Sequence, residues 1–440
     1  MIYKIRNIYI FLFLSIPLFL ITGPAIPDII ISTGVLFGIF FLIIKNKEIF
    51  LLSNHLVVVS VVFWLCLLLI SFFAIDKEKS FQDSLIFLRY LLIPICLYFL
   101  YFKNEKILEY LFLIIFLLVI FVTIDSLFQF FSYTAANGFG SDLLGFKSNW
   151  YGRLTGPFGD ELIPGSYISK FGLIGYIYIL INKKIKQITL IHCFYLSSIL
   201  LVCFLSGERM AFAIFLLSLS VLFLFLKNYK IKILISIFFG FILIFAIFKL
   251  HPFYNDYKVL ESTEYHQGLK IEKKIECPNN KEIICSKIIN IQPSFFKILQ
   301  NFSSSAYGEI YILSYEMFKN NPITGIGLSN FKSLCENQEK YNKLMVHYNC
   351  ASHPHNTYMQ WLSEGGLLTL SFFILYLVVL IKFIIKNKGD NNSKILALIL
   401  ILILFWPIMS TGSIIKNWYG VTVFFIIGIS TCISRIKIND

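Results

Sequence analysis

Charge is what this sequence has least of. Only 14% of its 440 residues are Asp, Glu, Lys or Arg, while 57% are hydrophobic and the mean hydropathy is +0.76. Soluble globular domains carry about 25% charged residues, so an ordinary water-soluble enzyme is excluded. The abundance of apolar material excludes a disordered chain as well. Cysteine never occurs with C-x-x-C spacing, no Asp-x-Asp pair lies in the polar loops, and no internal repeat is visible. These absences argue against a zinc or redox motif and against a repeat array. What remains is a formal net charge of +13 whose lysines fall in short clusters between apolar runs of bilayer length. That pattern belongs to a polytopic membrane protein with no nucleic-acid partner.

Candidate spans lie near 8–22, 28–44, 55–74, 83–102, 108–131, 161–181, 188–205, 209–226, 231–250, 356–381, 395–409 and 417–434. Lipid satisfies no backbone hydrogen bond, so all of them are expected as helices. Placing the N-terminus in the cytoplasm puts eighteen Lys and Arg on inner loops and four on short outer ones. This is the positive-inside asymmetry, with both termini cytoplasmic. The first run is read as a retained span, because no A-x-A-like cleavage site follows it. The chain thus divides into residues 1–250 with nine helices and a short outer loop near 132–160, a large outer loop 251–355, and residues 356–440 with three helices. The large loop is expected to cap the bundle with a few helices of its own.

Five cysteines fall inside apolar spans, and Cys277, Cys285, Cys335 and Cys350 fall in the large outer loop. An even number in an oxidising compartment points to disulfides, with the local pairing Cys277–Cys285 and Cys335–Cys350 preferred. A metal site built from Cys350 with His347, His353 and His355 is the weaker reading, and none is expected.

Arginine is also scarce, five of the 38 basic residues. Where lysine is supplied wherever positive charge is enough, arginine marks positions that need its planar fork. Arg6 and Arg435 are inner anchors; Arg89, Arg153 and Arg209 gather toward the outer side. Arg209 follows Ser206-Gly207-Glu208, with Ser206 expected to N-cap the eighth span. A cation in a first helical turn opposes the helix dipole, yet with the free N–H groups it suits an anion. Arg153 precedes the sixth span in a Gly- and Pro-shaped turn. Arg89 lies roughly 9 Å inside the fourth span at 1.5 Å per residue, a depth at which charge signals function. The competing reading for each is an interfacial anchor. The ligand that suits all three is a membrane-level phosphate carrying at least two charges, such as a lipid pyrophosphate.

The densest constellation runs from Asn321-Pro322 through Gly325-Ile326-Gly327 to Phe331, then Ser352-His353-Pro354-His355-Asn356 and Glu364-Gly365-Gly366. Pro354 keeps His353 out of the helical region, so the tenth span begins at or after His355, at the membrane lip. Histidine is suited to take a proton from a sugar hydroxyl near neutral pH. The Gly-x-Gly has no βαβ unit around it and is no dinucleotide fingerprint.

These stretches resemble the O-antigen ligase/polymerase family. Its pattern of His-Asn, nine residues, Gly, two residues, then Gly, Thr or Tyr is matched by His355-Asn356, Gly366 and Thr369. The segments Gly156 to Glu161, Gly165-Ser166-Tyr167 and Ser206-Gly207-Glu208-Arg209 are similar to those of ligase-like members. The resemblance implies an all-α, GT-C-like fold of about 12 transmembrane helices with one large periplasmic loop in a bacterial inner membrane. It implies a metal-independent, inverting glycosyltransferase without cofactor, whose active site faces the periplasm among membrane lipids. The donor would be an undecaprenyl-pyrophosphate-linked glycan, and the acceptor lipid A-core or, in a polymerase, the growing glycan. Carried over by motif, His355 is the catalytic histidine, while Arg153 and Arg209 hold the pyrophosphate. His353, Asn356, Glu208, Gly325 and Gly327 are candidate substrate-binding positions within these motifs, and Arg89 is added from its depth alone. Glu309, Asp160, Glu161, Glu208 and Glu364 are candidate partners to orient His355. A transporter of lipid-linked or anionic solute competes less well, because it should place its polar residues mid-membrane at broken helices.

Overall fold

The computed structural model describes residues 2–44, 54–134, 138–148, 150, 152–255, 257–259, 274–277, 280–287, 300, 302–346 and 348–438, with the backbone alone between 255 and 287. The main helices are α1 (Ile2–Thr22), α2 (Ala25–Ile44), α3 (His55–Ser71), α4 (Lys77–Cys96), α5 (Glu105–Phe131), α6 (Pro164–Ile181), α7 (Thr189–Leu205), α8 (Arg209–Phe225), α9 (Lys230–Leu250), α10 (Ala306–Asn320), α11 (Phe331–Asn337), α12 (Thr357–Lys386), α13 (Asn391–Leu404) and α14 (Asn417–Ile433). Every apolar run of the sequence falls on one of them. Among the described residues α1, α2, α4, α5, α9 and α12 are long and apolar enough to cross a membrane, and α3, α7, α8, α13 and α14 are apolar but shorter. The protein is therefore a predominantly helical, multi-pass membrane protein.

Local chemistry sets the helix ends. The Asn54 side chain accepts from the Leu56 N–H, Asp76 from Lys79 and Asp390 from Ser393, each satisfying a donor that the first turn leaves free. Pro164 occupies the first turn of α6, where its missing N–H costs nothing. Pro94 sits near the end of α4, and the chain widens there into a π turn, Leu97–Tyr101.

Two compact units emerge, residues 1–111 with 296–440, and residues 112–295. In the first, α3, α4, α12 and α14 pack together around Phe63, Phe87, Trp361, Phe373 and Phe424. Trp361 meets Phe63 and Phe87 edge-on, with centroids 5.5 and 5.6 Å apart, a preferred aromatic arrangement. Helices α10 and α11 of the outer loop have their own small core of Ile310, Leu313, Met317, Phe331 and Leu334. In the second unit α7 packs on α6, α8 and α9. Gly172 and Gly240 lie under Ile199 and Leu200, where an added Cβ would come within 2.9 and 2.8 Å of those side chains. Small residues allow such close approach between membrane helices.

A three-stranded antiparallel sheet, β1 (Tyr257–Val259), β2 (Lys274–Cys277) and β3 (Asn280–Lys287) in the order β1-β3-β2, is an addition to the all-helical expectation. Its central strand, Asn-Lys-Glu-Ile-Ile-Cys-Ser-Lys, is too short and too charged to span a bilayer. The large loop thus contributes to both units, with its sheet in one and α10 and α11 in the other. Cys335 and Cys350 are disulfide-bonded with Cα atoms 5.9 Å apart. The side chains of Cys277 and Cys285 lie outside the described residues, as does His347.

Candidate functional site

In the first unit the chain enters α12 through a strained corner. His355 has φ 54°, a left-handed conformation that costs a non-glycine residue about 1–2 kcal/mol. Its neighbours hold it there. The Asn356 side chain caps α12 by accepting from the Tyr358 and Met359 N–H groups at 3.0 and 3.1 Å. The same side chain donates to the carbonyls of Pro407 and Met409 at 2.8 and 3.1 Å, while the Thr411 N–H donates to the His355 carbonyl at 2.8 Å. Both ends of the Asn356 amide are engaged in this fixation.

The His353 and His355 rings lie 4.0 Å apart, centroid to centroid, and Tyr307 meets His355 edge-on at 5.8 Å. His353 Nε2 is 3.2 Å from the Thr411 carbonyl, which only accepts, so Nε2 carries the proton and Nδ1 accepts from the Ser352 hydroxyl at 2.8 Å. Burial, and then His355 beside it, push His353 down to about 4. Burial likewise lowers His355, opposed by the Thr411 carbonyl. Both rings are neutral at pH 7, and His355 is ready to accept a proton.

The Gly-x-Gly loop packs against a break in α12. Gly366 has φ 66° and ψ −169° inside that helix, so the carbonyls before it lose their helical partners. The loop replaces them, with Ile326 N–H donating to Ser363 O at 3.0 Å and Gly327 N–H to Glu364 O at 2.9 Å. In return, Leu367 N–H reaches Pro322 O at 2.9 Å. A Cβ on Gly325 would meet the Glu364 carbonyl at 2.5 Å, so glycine is required for the approach itself. Gly325 and Gly327 are thereby committed to helix packing. Glu364 is buried on the same joint, accepting from Gln360 at 3.0 Å, and Gln360 also donates to Ser413 at 2.8 Å.

Arg89 is not free. It pairs with Asp28 at 2.8 Å and donates to the Tyr90 hydroxyl at 3.0 Å and to Asn417 at 3.4 Å, which ties α2, α4 and α14 together.

The second unit holds the other charged cluster. Glu208, Arg209 and Ser206 stand where α7 passes into α8. Here the cap assignment needs correcting: Ser206 closes α7, its hydroxyl donating to Cys203 O at 3.1 Å, and Glu208 occupies the N-cap of α8. The tight Gly207 turn, φ 75°, displaces the cap by two residues. Arg209 opens α8 as expected. Glu208 Oε2 accepts from the Ser166 N–H at 3.0 Å, at the start of α6. Its Oε1 is buried without a hydrogen bond, as is Arg153 Nε. Burial raises the Glu208 carboxyl, and Arg153 followed by Lys170 pulls it back. Arg153 donates weakly to Leu162 O at 3.4 Å. Lys170, 4% exposed and two turns inside α6, donates to the Ser166 hydroxyl and carbonyl at 2.7 and 3.1 Å. Sequence reasoning missed it, although the signal applied to Arg89, a charge deep in an apolar run, was equally present. The cluster is a buried carboxylate faced by two cations at a helix start, with donor capacity on Arg153 Nε that no group among the described residues takes up.

Among the described residues no group of three or more His, Cys, Asp or Glu side chains is arranged to hold a metal ion. No curated protein matches the chain. Residues 194–374 match the family model described as O-Antigen ligase, a stretch that takes in Glu208, Arg209, the Gly-x-Gly loop, both lip histidines and the broken start of α12. Over that segment, less than half of its length, the chain is similar to the O-antigen ligase family.

Proposed function

We propose that this protein is an O-antigen ligase-type glycosyltransferase. It transfers a glycan from undecaprenyl pyrophosphate to lipid A-core on the periplasmic face of the inner membrane, with inversion at the anomeric carbon. The observation that carries this reading is His355, a neutral imidazole held in a strained backbone at a membrane lip within the family segment. Neutrality suits it to take the proton of the acceptor hydroxyl as that oxygen attacks C1. The pyrophosphate leaves with the electron pair of the C1–O bond, and Arg153 and Arg209 stabilise its growing charge. Fixed guanidinium groups supply this without a metal, and the donor capacity on Arg153 Nε supports the role. His353 adjoins His355 and shapes its position. Arg89, already paired with Asp28, serves chiefly to hold helices. The excess of basic residues on one set of loops and the disulfide Cys335–Cys350 support cytoplasmic termini and an oxidising outer compartment.

The second reading is a polymerase of the same family, in which the acceptor is a glycan on its own carrier. Purified protein given lipid-linked glycan, with and without rough lipopolysaccharide, distinguishes the two. Glycan on the core is expected. Longer carrier-linked chains made without core would replace the ligase reading with the polymerase one, and no product with either acceptor would end both.

A further inference from the structure

Between α5 and α6, residues 141–147 form a turn with an unusual surface. Leu143, Leu144, Phe146 and Trp150 are 48%, 55%, 45% and 46% exposed, four large apolar side chains within eight residues of a segment that is no helix. Exposed apolar clusters of this kind mark contact sites.

The backbone beneath them points to the kind of contact. The Asp142 N–H donates to Phe146 O at 2.8 Å, and the Gly145 N–H to Asp142 O at 3.2 Å. Asp142 Oδ1 accepts from the Leu144 and Phe146 N–H groups at 3.0 and 2.6 Å. The Leu143 N–H donates at 3.0 Å to Asp125, a fully buried side chain on α5. Every N–H from Asp142 to Phe146 therefore has a protein acceptor. Ser141 and Lys147 pair as a β-bridge, and Gly145, φ 92°, makes the reversal. This closure holds the apolar tip in one shape, and Trp150 and Lys147 beside it are the residue types that favour a lipid interface, so the contact it fits is the headgroup–acyl boundary at the end of α5.

We propose that this turn is a membrane-inserting hairpin, whose occupied partner is the lipid leaflet at that end of α5 and α6. Leu143, Leu144 and Phe146 sit among acyl chains. Lys147 lies at the anionic headgroups and Trp150 at the interface, the positions these residue types favour. Asp125 fastens the turn to a membrane-spanning helix, so the insertion depth is fixed. Arg153, three residues beyond Trp150 and bonded to its carbonyl through the Arg153 N–H at 3.3 Å, is then held at headgroup level. That last consequence rests on the proposed pyrophosphate role of Arg153.

The test uses the full chain in nanodiscs of phosphatidylcholine brominated at shallow or deep acyl carbons, without substrate. The contribution of Trp150 is the emission lost on Trp150→Phe. We expect it to be quenched by shallow bromines and shielded from aqueous acrylamide. As a second reading, an environment-sensitive label at Leu144→Cys should shift to the blue and be quenched more deeply. Trp150 quenched by acrylamide and untouched by bromolipids would overturn the proposal. Shielding from both quenchers would also overturn it, in favour of a protein partner or a second copy. Because quenching needs no transfer activity, a protein that inserts but does not ligate would sink the enzymatic reading alone.

Discussion

At the residue scale the sharpest feature is His355. Removing its imidazole should lower transfer by about 10²–10⁴-fold, the usual weight of a general base, with the protein still folded by gel filtration. Its φ of 54° allows a second check. Glycine adopts that conformation freely, so His355→Gly should melt higher than His355→Ala by an amount equivalent to about 1–2 kcal/mol, although both are inactive. Equal melting points would mean that the corner is relaxed. The pH behaviour has a definite sign. The proposed base role needs neutral His355, whose folded value lies below the ordinary 6.5, so kcat/KM should hold through pH 6.5 and fall only under it. Stability follows His353. Between pH 6.5 and about 4 the unfolded chain takes up a proton that folded His353 refuses, so stability should drop across that window. His353→Gln should flatten that part of a melting-temperature profile.

Helices, the element scale, were the most legible part of the chain, because a bilayer leaves an apolar run no alternative. Their ends were less so. Ser206 has the right side chain for an N-cap, but the Gly207 turn moves that position to Glu208. Gly325 and Gly327 stood out as candidate substrate-binding positions, and the structure adds their packing on the carbonyls freed at Gly366, a pairing set by a backbone dihedral that no residue type announces. Gly366→Ala should therefore be severe. Its Cβ would collide with the Ile323 carbonyl, at a combination of φ 66° and ψ −169° that essentially only glycine adopts, and expression of folded protein is the measurement. For the clamp between α2 and α4, Arg89→Met should cost about 1–3 kcal/mol by leaving Asp28 uncompensated. The double change with Asp28→Leu should recover much of this in a thermal melt. No recovery would assign Arg89 a role beyond Asp28.

On the scale of the whole molecule, hydropathy indicates where the chain crosses lipid and is silent on how the outer loop is shared. The loop reads as one polar block of roughly even composition. Only the structure divides it into a sheet in one unit and the α10–α11 pair in the other, with α11 joined by the Cys335–Cys350 bond to the segment before His353. That bond closes a separation of 15 residues, and opening it with Cys335→Ser should reduce stability by about 3 kcal/mol. The same loss should appear in wild-type protein treated with reductant. The scarce arginines stood out. Lys170 did not, because one lysine among 38 basic residues draws no notice until its neighbour is seen to be a buried glutamate.

The break in α12 has a mechanical consequence. Nine residues separate the lip from Gly366, a rigid arm of about 13 Å pivoting on two glycines. A tilt of about 10° at that pivot sweeps the imidazole through roughly 2 Å, the difference between contact and no contact with a hydroxyl. The pivot is locked by the chain at residues 322–327, and the far end of the arm by the chain at residues 407–411. On the proposed role of His355 its reach to the acceptor hydroxyl depends on the 322–327 loop, and lengthening the loop by a single residue should lower transfer while leaving every reacting group in place.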